Sequence, residues 1–318
     1  NIITLLDDGN TIPFIARYRK EMHGSMDDQL IREFAEKLEY LRGLDKRRDE
    51  IRSLIDAQEK LTDEINLALD KAATLSELED IYRPYRPKRK TRASIAKEKG
   101  LEPLANDILK QEKGFDPSKS AVDYIDEEKG VTSVEDAIQG AMDIIAELVS
   151  DNAEIRKRIR NLTNANGVLV SVTTDEEKDS VYKNYYDYKE PVKKIAGHRV
   201  LAVNRGEKEG FLKVSVETDS EKPLNSIFRA MITDKNQLCS DIIREACTDA
   251  YQRLIYPSIE REVRNDLTDV AAENAMKVFA VNLKQLLMQP PVKGKTVLAL
   301  DPGYRTGCKT AVVDSTGK

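Results

Sequence analysis

A run of apolar residues at helical spacing between positions 27 and 58 constrains the fold of this chain more than any other feature. Its members recur three or four positions apart and fall on one helical face: Leu30, Phe34, Leu38, Leu41, Leu44, Ile51, Leu54 and Ile55. Asp27 and Asp28 supply a cap and an acidic first turn. Gly43 and the basic run at 46–48 lie in the middle. The pattern therefore predicts one long helix or a helical hairpin.

Proline, capping and glycine signals indicate further helices. Pro13 marks a short early helix, and Ser133 with Asp136 resembles a capping box that starts a helix running to about residue 149. The remaining boundary candidates are the caps Thr62, Ser76 and Asp116 and the stops Gly100 and Gly114. Residues 1–160 are predicted to form a helical domain.

The pattern becomes mixed beyond residue 160. An Asn-Gly turn at 166–167 precedes a short apolar run, and residues 212–217 alternate apolar with polar side chains, which predicts a strand. Helical spacing returns at 238–287 with a predicted interruption at Pro257. Residues 161–290 are therefore predicted to form a central region of long helices and minor strands.

The last residues change character again. Residues 296–300 and 310–313 are short apolar runs separated by an Asp-Pro-Gly turn, too close for a crossover helix. They predict an antiparallel hairpin that opens an α/β domain over residues 291–318. The fold class predicted for the whole chain is mainly α.

The length of 318 residues is enough for two or more domains. The chain starts at Asn1 without a Met, inside an amphipathic pattern, and stops after a strand with no further partner. We therefore expect a piece of a longer protein.

The composition argues against several classes of protein. Lys and Arg total 51 against 56 Asp and Glu, and no apolar run reaches the length of a membrane span. We expect a soluble cytoplasmic protein without membrane partners. Three cysteines and two histidines leave little material for disulfide frameworks, zinc sites or Ser/His/Asp and Cys/His catalysis. We expect no cofactor, and His23 and His198 should be structural.

Residues 82–92 (YRPYRPKRKTR) are the densest basic feature. Prolines should keep this segment extended, and basic residues interleave with tyrosines, so it could contact phosphates and bases. Its cations are Arg83, Arg86, Lys88, Arg89, Lys90 and Arg92. The alternative is a basic loop that pairs with acidic helices at 123–128 or 135–151.

A second group of cations lies in residues 11–20 (TIPFIARYRK), and these are Arg17, Arg19 and Lys20. They are also candidates for contacts to nucleic acid. The alternative, which the sequence favours, places Phe14, Ile15 and Tyr18 in the core with the basic residues at its wet edge.

Asp301 is a weak candidate for a metal ligand. A carboxylate at the end of a buried strand is where a nuclease of the ribonuclease H type places its first ligand. One acid does not make such a site, and an ordinary turn fits the Asp-Pro-Gly sequence equally well. We therefore assign no catalytic residue.

Several long motifs together resemble the bacterial Tex family of transcription accessory proteins. They lie at 11–21 (TIPFIARYRKE), 78–93 (LEDIYRPYRPKRKTRA), 100–105 (GLEPLA), 205–210 (RGEKEG), 257–262 (PSIERE) and 301–309 (DPGYRTGCK). The resemblance implies a helical N-terminal part with a helix-turn-helix-like element and a YqgF-type, ribonuclease-H-like domain, of which residues 291–318 are the start. It also implies helix-hairpin-helix motifs and a C-terminal S1 domain of OB type, to which RNA binding in the family is chiefly credited. We expect that S1 domain to lie outside these 318 residues.

From this resemblance we expect a non-enzymatic transcription accessory factor that binds RNA, DNA or both. RNA polymerase or other transcription machinery is a further expected partner. Two alternatives stay open: a metal-dependent, structure-specific nuclease using Asp301, and a protein-interaction scaffold for the transcription machinery.

Overall fold

The computed structural model describes residues 1–87, 89–175, 180–233, 235–290, 293–303 and 307–318. Helices make up most of these residues, so the predicted mainly α class is confirmed. The helices are α1 Ile2–Asp7, α2 Ile12–Tyr18, α3 Lys20–His23, α4 Asp28–Asp56, α5 Asp63–Lys71, α6 Leu75–Tyr82, α7 Arg92–Glu98, α8 Glu102–Lys110, α9 Pro117–Ala121, α10 Val134–Asp151, α11 Ala153–Asn166, α12 Gly197–Lys208, α13 Glu221–Met231, α14 Gln237–Asp249 and α15 Tyr256–Leu287. The strands are β1 Val168–Thr173, β2 Asp187–Pro191, β3 Leu212–Glu217, β4 Val297–Pro302 and β5 Cys308–Val313.

The chain divides into two units. Unit 1 comprises Asn1–Val168 and Val216–Val263, and unit 2 comprises Leu169–Ser215 and Arg264–Lys318. Within the described residues, no helix is long and apolar enough to cross a membrane.

Helix α4 organises the N-terminal part of unit 1. It is one uninterrupted helix across Gly43, which confirms the long-helix interpretation over the hairpin. Its apolar face packs Ile51 and Ile55 against Leu69 and Leu78 of α5 and α6. Ion pairs three residues apart follow Gly43 and support the helix where its propensity is weakest.

Most of the predicted side-chain caps are confirmed. Thr62, Asp116 and Ser133 each accept a hydrogen bond from a backbone N–H of the helix that follows. The prediction of Ser76 as a cap is wrong. Thr74 caps α6 instead, because its hydroxyl accepts from Glu77 N while the Glu77 carboxylate accepts from the backbone just before the cap.

The predicted interruption at Pro257 is also wrong. Residues Ala250–Ile255 form a π-helix that joins α14 to α15 without a break. Proline lacks an N–H and its ring clashes with the carbonyl four residues earlier, so an ordinary turn would be strained there. The wider π turn accommodates the proline inside a continuous helix.

Unit 2 holds a three-stranded sheet in the order β2-β1-β3. Leu212 and Val214 of the predicted strand point into a core with Leu169 and Val203. The outer edge of Val214 is covered by side chains: its N–H donates to Glu207 (3.2 Å), and its carbonyl accepts from Arg264 (3.0 Å). Side chains thus take the place of a further strand at this position.

The predicted C-terminal hairpin is confirmed. Strands β4 and β5 pair antiparallel, with Val297 opposite Val313 and Leu300 opposite Thr310. Every residue of β4 is exposed.

Candidate nucleic-acid interface

The basic segment at 83–92 links α6 to α7 in unit 1. Tyr82 ends α6 with its side chain buried, and Arg83–Tyr85 forms a short 3₁₀ turn before the backbone extends at Arg86. The predicted extended conformation is therefore wrong for the first four residues of the 82–92 segment. The fixed φ of Pro84 fits a helical turn as well as an extended chain.

A buried charge network anchors the segment at its N-terminal end. Asp80 lies on α6 with its side chain 7% exposed. Its two carboxylate oxygens accept from Arg156 Nε and Arg160 Nη2 of α11, both at 2.5 Å. Arg160 also donates to Glu262 of α15 (2.6 Å), and Arg156 to Ser258 (3.0 Å). Two acids thus balance two arginines where α6, α11 and α15 meet.

The first two cations of the segment are bound by acids of the same unit. Arg83 Nε lies 3.3 Å from Asp151 Oδ1 of α10, and burial together with the charge of Arg156 lowers the pKa of Arg83. Arg86 forms an ion pair with Glu79 and lies over the Tyr82 ring, 5.6 Å from its centroid. These two side chains hold the segment against the protein.

A capping box anchors the C-terminal end. The Thr91 hydroxyl accepts from Ser94 N (3.0 Å), and the Ser94 hydroxyl accepts from Thr91 N (2.8 Å), which fixes the start of α7. The Thr91 hydroxyl also donates to Glu147 of α10 (3.1 Å). Glu147 and Asp151 are four residues apart on α10, so both ends of the segment are attached to one face of the same helix.

The remaining described cations, Arg89, Lys90 and Arg92, are exposed. Lys90 Nζ lies 3.7 Å from Glu98, and both of these side chains are about two-thirds exposed. Among the described residues, no acid is within ion-pair distance of Arg89. Burial raises the pKa of Asp143 on α10, and the charges of Arg253 and Arg92 oppose this rise. The predicted cation Lys88 lies outside the described residues.

One part of the segment fits the interpretation as a basic loop paired with acidic helices, and the other part fits a contact to nucleic acid. Arg83 pairs with an acid in the 135–151 helix, as the structural alternative predicts. Within the described residues, none of its cations pairs with an acid at 123–128. Arg89, Lys90 and Arg92 form an exposed cationic stretch, which we call the exposed triad.

The second group of candidates lies where α2 meets α3. Arg17, Arg19 and Lys20 are all exposed, and none forms an ion pair within the described residues. No hydrogen bond or ion pair among those residues joins them to the 83–92 segment. The core alternative is right for Ile15, which is fully buried, and wrong for Tyr18, which is 63% exposed. The chain turns at Arg19. His23 of α3 is buried there instead, and its Nε2 forms a hydrogen bond with the Ile15 carbonyl (3.0 Å).

Asp301 lies on exposed strand β4, opposite Lys309 of β5. Within the described ranges, no three His, Cys, Asp or Glu side chains are grouped as metal ligands would be. Residues 304–306, which separate the two strands in sequence, lie outside those ranges.

Sequence reasoning missed the groups that hold the segment in place. Thr91 followed by Ser94 three residues later was a detectable signal for the start of a helix. No local pattern could identify the network, because Asp80 is 76 residues from Arg156.

Three family models match the chain. The Tex-like N-terminal domain matches residues 1–56, the Tex central region matches 112–279, and the Tex YqgF-like domain matches 295–318. The central model alone spans more than half of the chain.

Similar proteins extend from bacteria to animals. "Uncharacterized protein YdcI" of Bacillus subtilis is 47% identical over 321 residues, covering 100% of this chain and 45% of that protein. "Transcriptional accessory protein Tex" of Neisseria gonorrhoeae is 39% identical over 99% of this chain and 42% of its own length. Human "S1 RNA-binding domain-containing protein 1" is 32% identical over 100% of this chain and 33% of its own length. The chain thus spans less than half the length of these relatives.

Proposed function

Because this chain belongs to the Tex-like family, we propose that it is a nucleic-acid-binding part of a transcription accessory factor. The names of two relatives, a transcriptional accessory protein and an S1 RNA-binding domain protein, support this class of function. In this proposal the exposed triad contacts the phosphates of RNA or DNA.

The observation that carries the proposal is the attachment of the segment at both ends. Arg83 and Thr91 tie it to acids of α10, while Arg89 is left without an acid partner among the described residues. A loop held in this way loses little conformational entropy when it binds. Cations without acid partners are free to displace counterions from phosphates, which is the main source of affinity in such interfaces.

We further propose that the chain acts without catalysis. Asp301 offers one exposed carboxylate, whereas two-metal hydrolysis needs several that converge. We expect no cleavage of RNA or DNA in magnesium or manganese. Cleavage that disappears in an Asp301→Asn variant would support the nuclease alternative, whereas cleavage that persists would indicate contamination.

The proposal is tested by measuring the affinity of the 318-residue chain for single-stranded RNA, single-stranded DNA and duplex DNA from 50 to 300 mM salt. Replacing Arg89, Lys90 and Arg92 together by Ala should weaken binding. The slope of log affinity against log salt should fall by about 0.7 for each lost single-strand contact, or about 0.9 for duplex.

A second triple variant supplies the matched control. Lys110, Lys119 and Lys129 are exposed lysines of unit 1, each paired with an aspartate three residues earlier. Replacing these three by Ala removes the same charge and should leave the salt slope nearly unchanged. Equal losses in both triple variants would reduce the interaction to overall charge and contradict the proposed site.

A second candidate function is docking of the transcription machinery, with RNA polymerase as the partner. A groove of about 780 Å³ runs beside the segment, and Tyr85, Leu109, Ile144 and Leu148 contribute its apolar side chains. Binding of purified RNA polymerase that ignores salt and is lost in a Leu148→Glu variant would favour this function. Failure of polymerase to bind at any salt would exclude it.

A further inference from the structure

Tyr18 presents an aromatic ring to solvent at the end of α2. Its side chain is 63% exposed, although a tyrosine in this apolar stretch was predicted to be buried. The ring packs against Phe14, one turn earlier on α2, with a centroid distance of 5.3 Å. The Arg19 guanidinium lies over Phe14 in turn, 5.4 Å from its centroid. The exposed ring is therefore supported by a second ring and a cation.

The backbone beneath Tyr18 is well anchored. Ile15 is fully buried and packs with Ile2, Leu5 and Ile31 in a core of the first helices. Buried His23 donates to the Ile15 carbonyl (3.0 Å), which fixes the turn from α2 into α3. A ring on such a support pays little entropy when a ligand stacks on it.

The charge around Tyr18 is positive. Arg17, Arg19 and Lys20 flank it in sequence, and all three are exposed without ion pairs among the described residues. Glu21 is the only acid in residues 17–21. Cations without acid partners beside an exposed aromatic ring are the combination that binds single strands, with phosphates on the cations and a base on the ring.

We propose that Tyr18 is a stacking platform for one base of a single-stranded nucleic acid, and that Arg17, Arg19 and Lys20 hold the adjoining phosphates. This inference rests on the proposed nucleic-acid binding and adds a second contact site with a preference for single strands. Duplexes hide the faces of their bases within the stack, so they cannot use the ring. Both RNA and DNA single strands can use the ring, because stacking involves the base and every base has a π-face.

The test compares Tyr18→Ala with Tyr18→Phe in the 318-residue chain. The probes are fluorescent 15-nucleotide oligo(dT) and oligo(U), with a 15-base-pair DNA duplex as the third. The Ala variant should bind both single strands about tenfold more weakly at an unchanged salt slope, because stacking releases no counterions. Its duplex affinity should be unchanged, and the Phe variant should bind all three probes like the unsubstituted chain.

Tyr40→Ala is the matched control. Tyr40 is also exposed (45%) and has the Lys37 ammonium over its ring, 5.0 Å from the centroid, but it lies within α4. This variant should bind all probes normally. Photocrosslinking with oligonucleotides that carry 5-iodouracil provides an independent readout, in which the adduct should map to Tyr18.

Three outcomes would overturn the inference. Normal binding of single strands by Tyr18→Ala, with loss only when Arg17, Arg19 and Lys20 are replaced, would leave an electrostatic contact without stacking and keep the proposed function. Equal loss on duplex and single strands would contradict the single-strand preference. If the unsubstituted chain binds none of the probes, both the proposed function and this inference fail.

Discussion

The two halves of the basic segment carry the same kind of charge and use it differently. Arg83 and Arg86 form ion pairs with Asp151 and Glu79, although the Arg86 side chain is still 44% exposed. Arg89, a few residues later, is exposed and has no acid partner among the described residues. The composition of the segment alone does not distinguish these roles. What distinguishes them is the position of the acids on α6 and α10.

The difference between the two halves indicates that exposed cations need a backbone held in place by ion pairs within the protein. The first half of the segment and the Asp80 network hold the chain in place, and the exposed triad lies at the surface, where the Lys90 ammonium is 3.7 Å from Glu98. Substitutions in the first half should change stability, and substitutions in the second half should change binding. The predictions below test that division, from the largest effect to the smallest.

Asp80→Ala should have the largest effect. It would leave Arg156 and Arg160 buried without their shared acid, and breaking a buried ion pair in this way costs about 3–5 kcal/mol in the free energy of unfolding. Urea unfolding followed by circular dichroism measures the change. Glu98→Ala, which removes an exposed acid beside Lys90, is the control and should unfold like the unsubstituted chain. Similar unfolding of the two variants would show that the network does not stabilise unit 1.

Thr91→Ala should have an intermediate effect on both properties. Loss of an N-cap costs about 1 kcal/mol, and here the bond to Glu147 is lost as well. Affinity for nucleic acid should also fall, since the exposed triad loses its C-terminal anchor. Thr62→Ala removes an N-cap of the same type from α5 and is the matched control. It should lower stability by a similar amount and leave binding unchanged. Weaker binding in both variants would mean that general destabilisation explains the loss.

Asp143→Asn should have a small effect of the opposite sign. Burial raises the pKa of Asp143 above the ordinary value of 3.8, so the ionised carboxyl is disfavoured in the folded state although Arg253 and Arg92 partly compensate. At pH 7 the variant should therefore melt slightly higher. As the pH falls through the raised pKa toward 3.8, Asp143 itself becomes neutral and the advantage should vanish. Melting temperatures from pH 7 to pH 4 test this, and a lower melting temperature at pH 7 would show that the ion pair outweighs burial.

Local signals predicted much of the fold. The spacing of apolar residues predicted α4, alternation predicted β3, and two short β-branched runs predicted the hairpin of β4 and β5. Each of these features depends on residues close together in sequence, where periodicity and chain geometry decide the structure. The π-helix before Pro257 escaped prediction, because the usual effect of proline is to end a helix rather than to widen a turn.

The candidate site could be predicted only in outline. Its cations were identified from sequence, but their division into bound and exposed side chains depends on partners that lie far along the chain, as Asp151 does for Arg83. The exposure of Tyr18 was missed for a related reason. Helical spacing places Tyr18 near the buried face of α2. In the structure the chain turns at Arg19, and Ile15 is the buried residue of α2.

A matched pair of single variants tests the central claim most directly. Arg86→Ala and Arg89→Ala remove the same charge from positions three residues apart, and Glu79 keeps its ion pair with Arg47 (2.7 Å) when Arg86 is lost. Affinity for single-stranded nucleic acid should be measured for both across the same salt series. We predict that Arg89→Ala lowers the salt slope by about 0.7 and that Arg86→Ala leaves it unchanged. Equal reductions in the two variants would contradict the division of the segment into an anchoring half and a binding half.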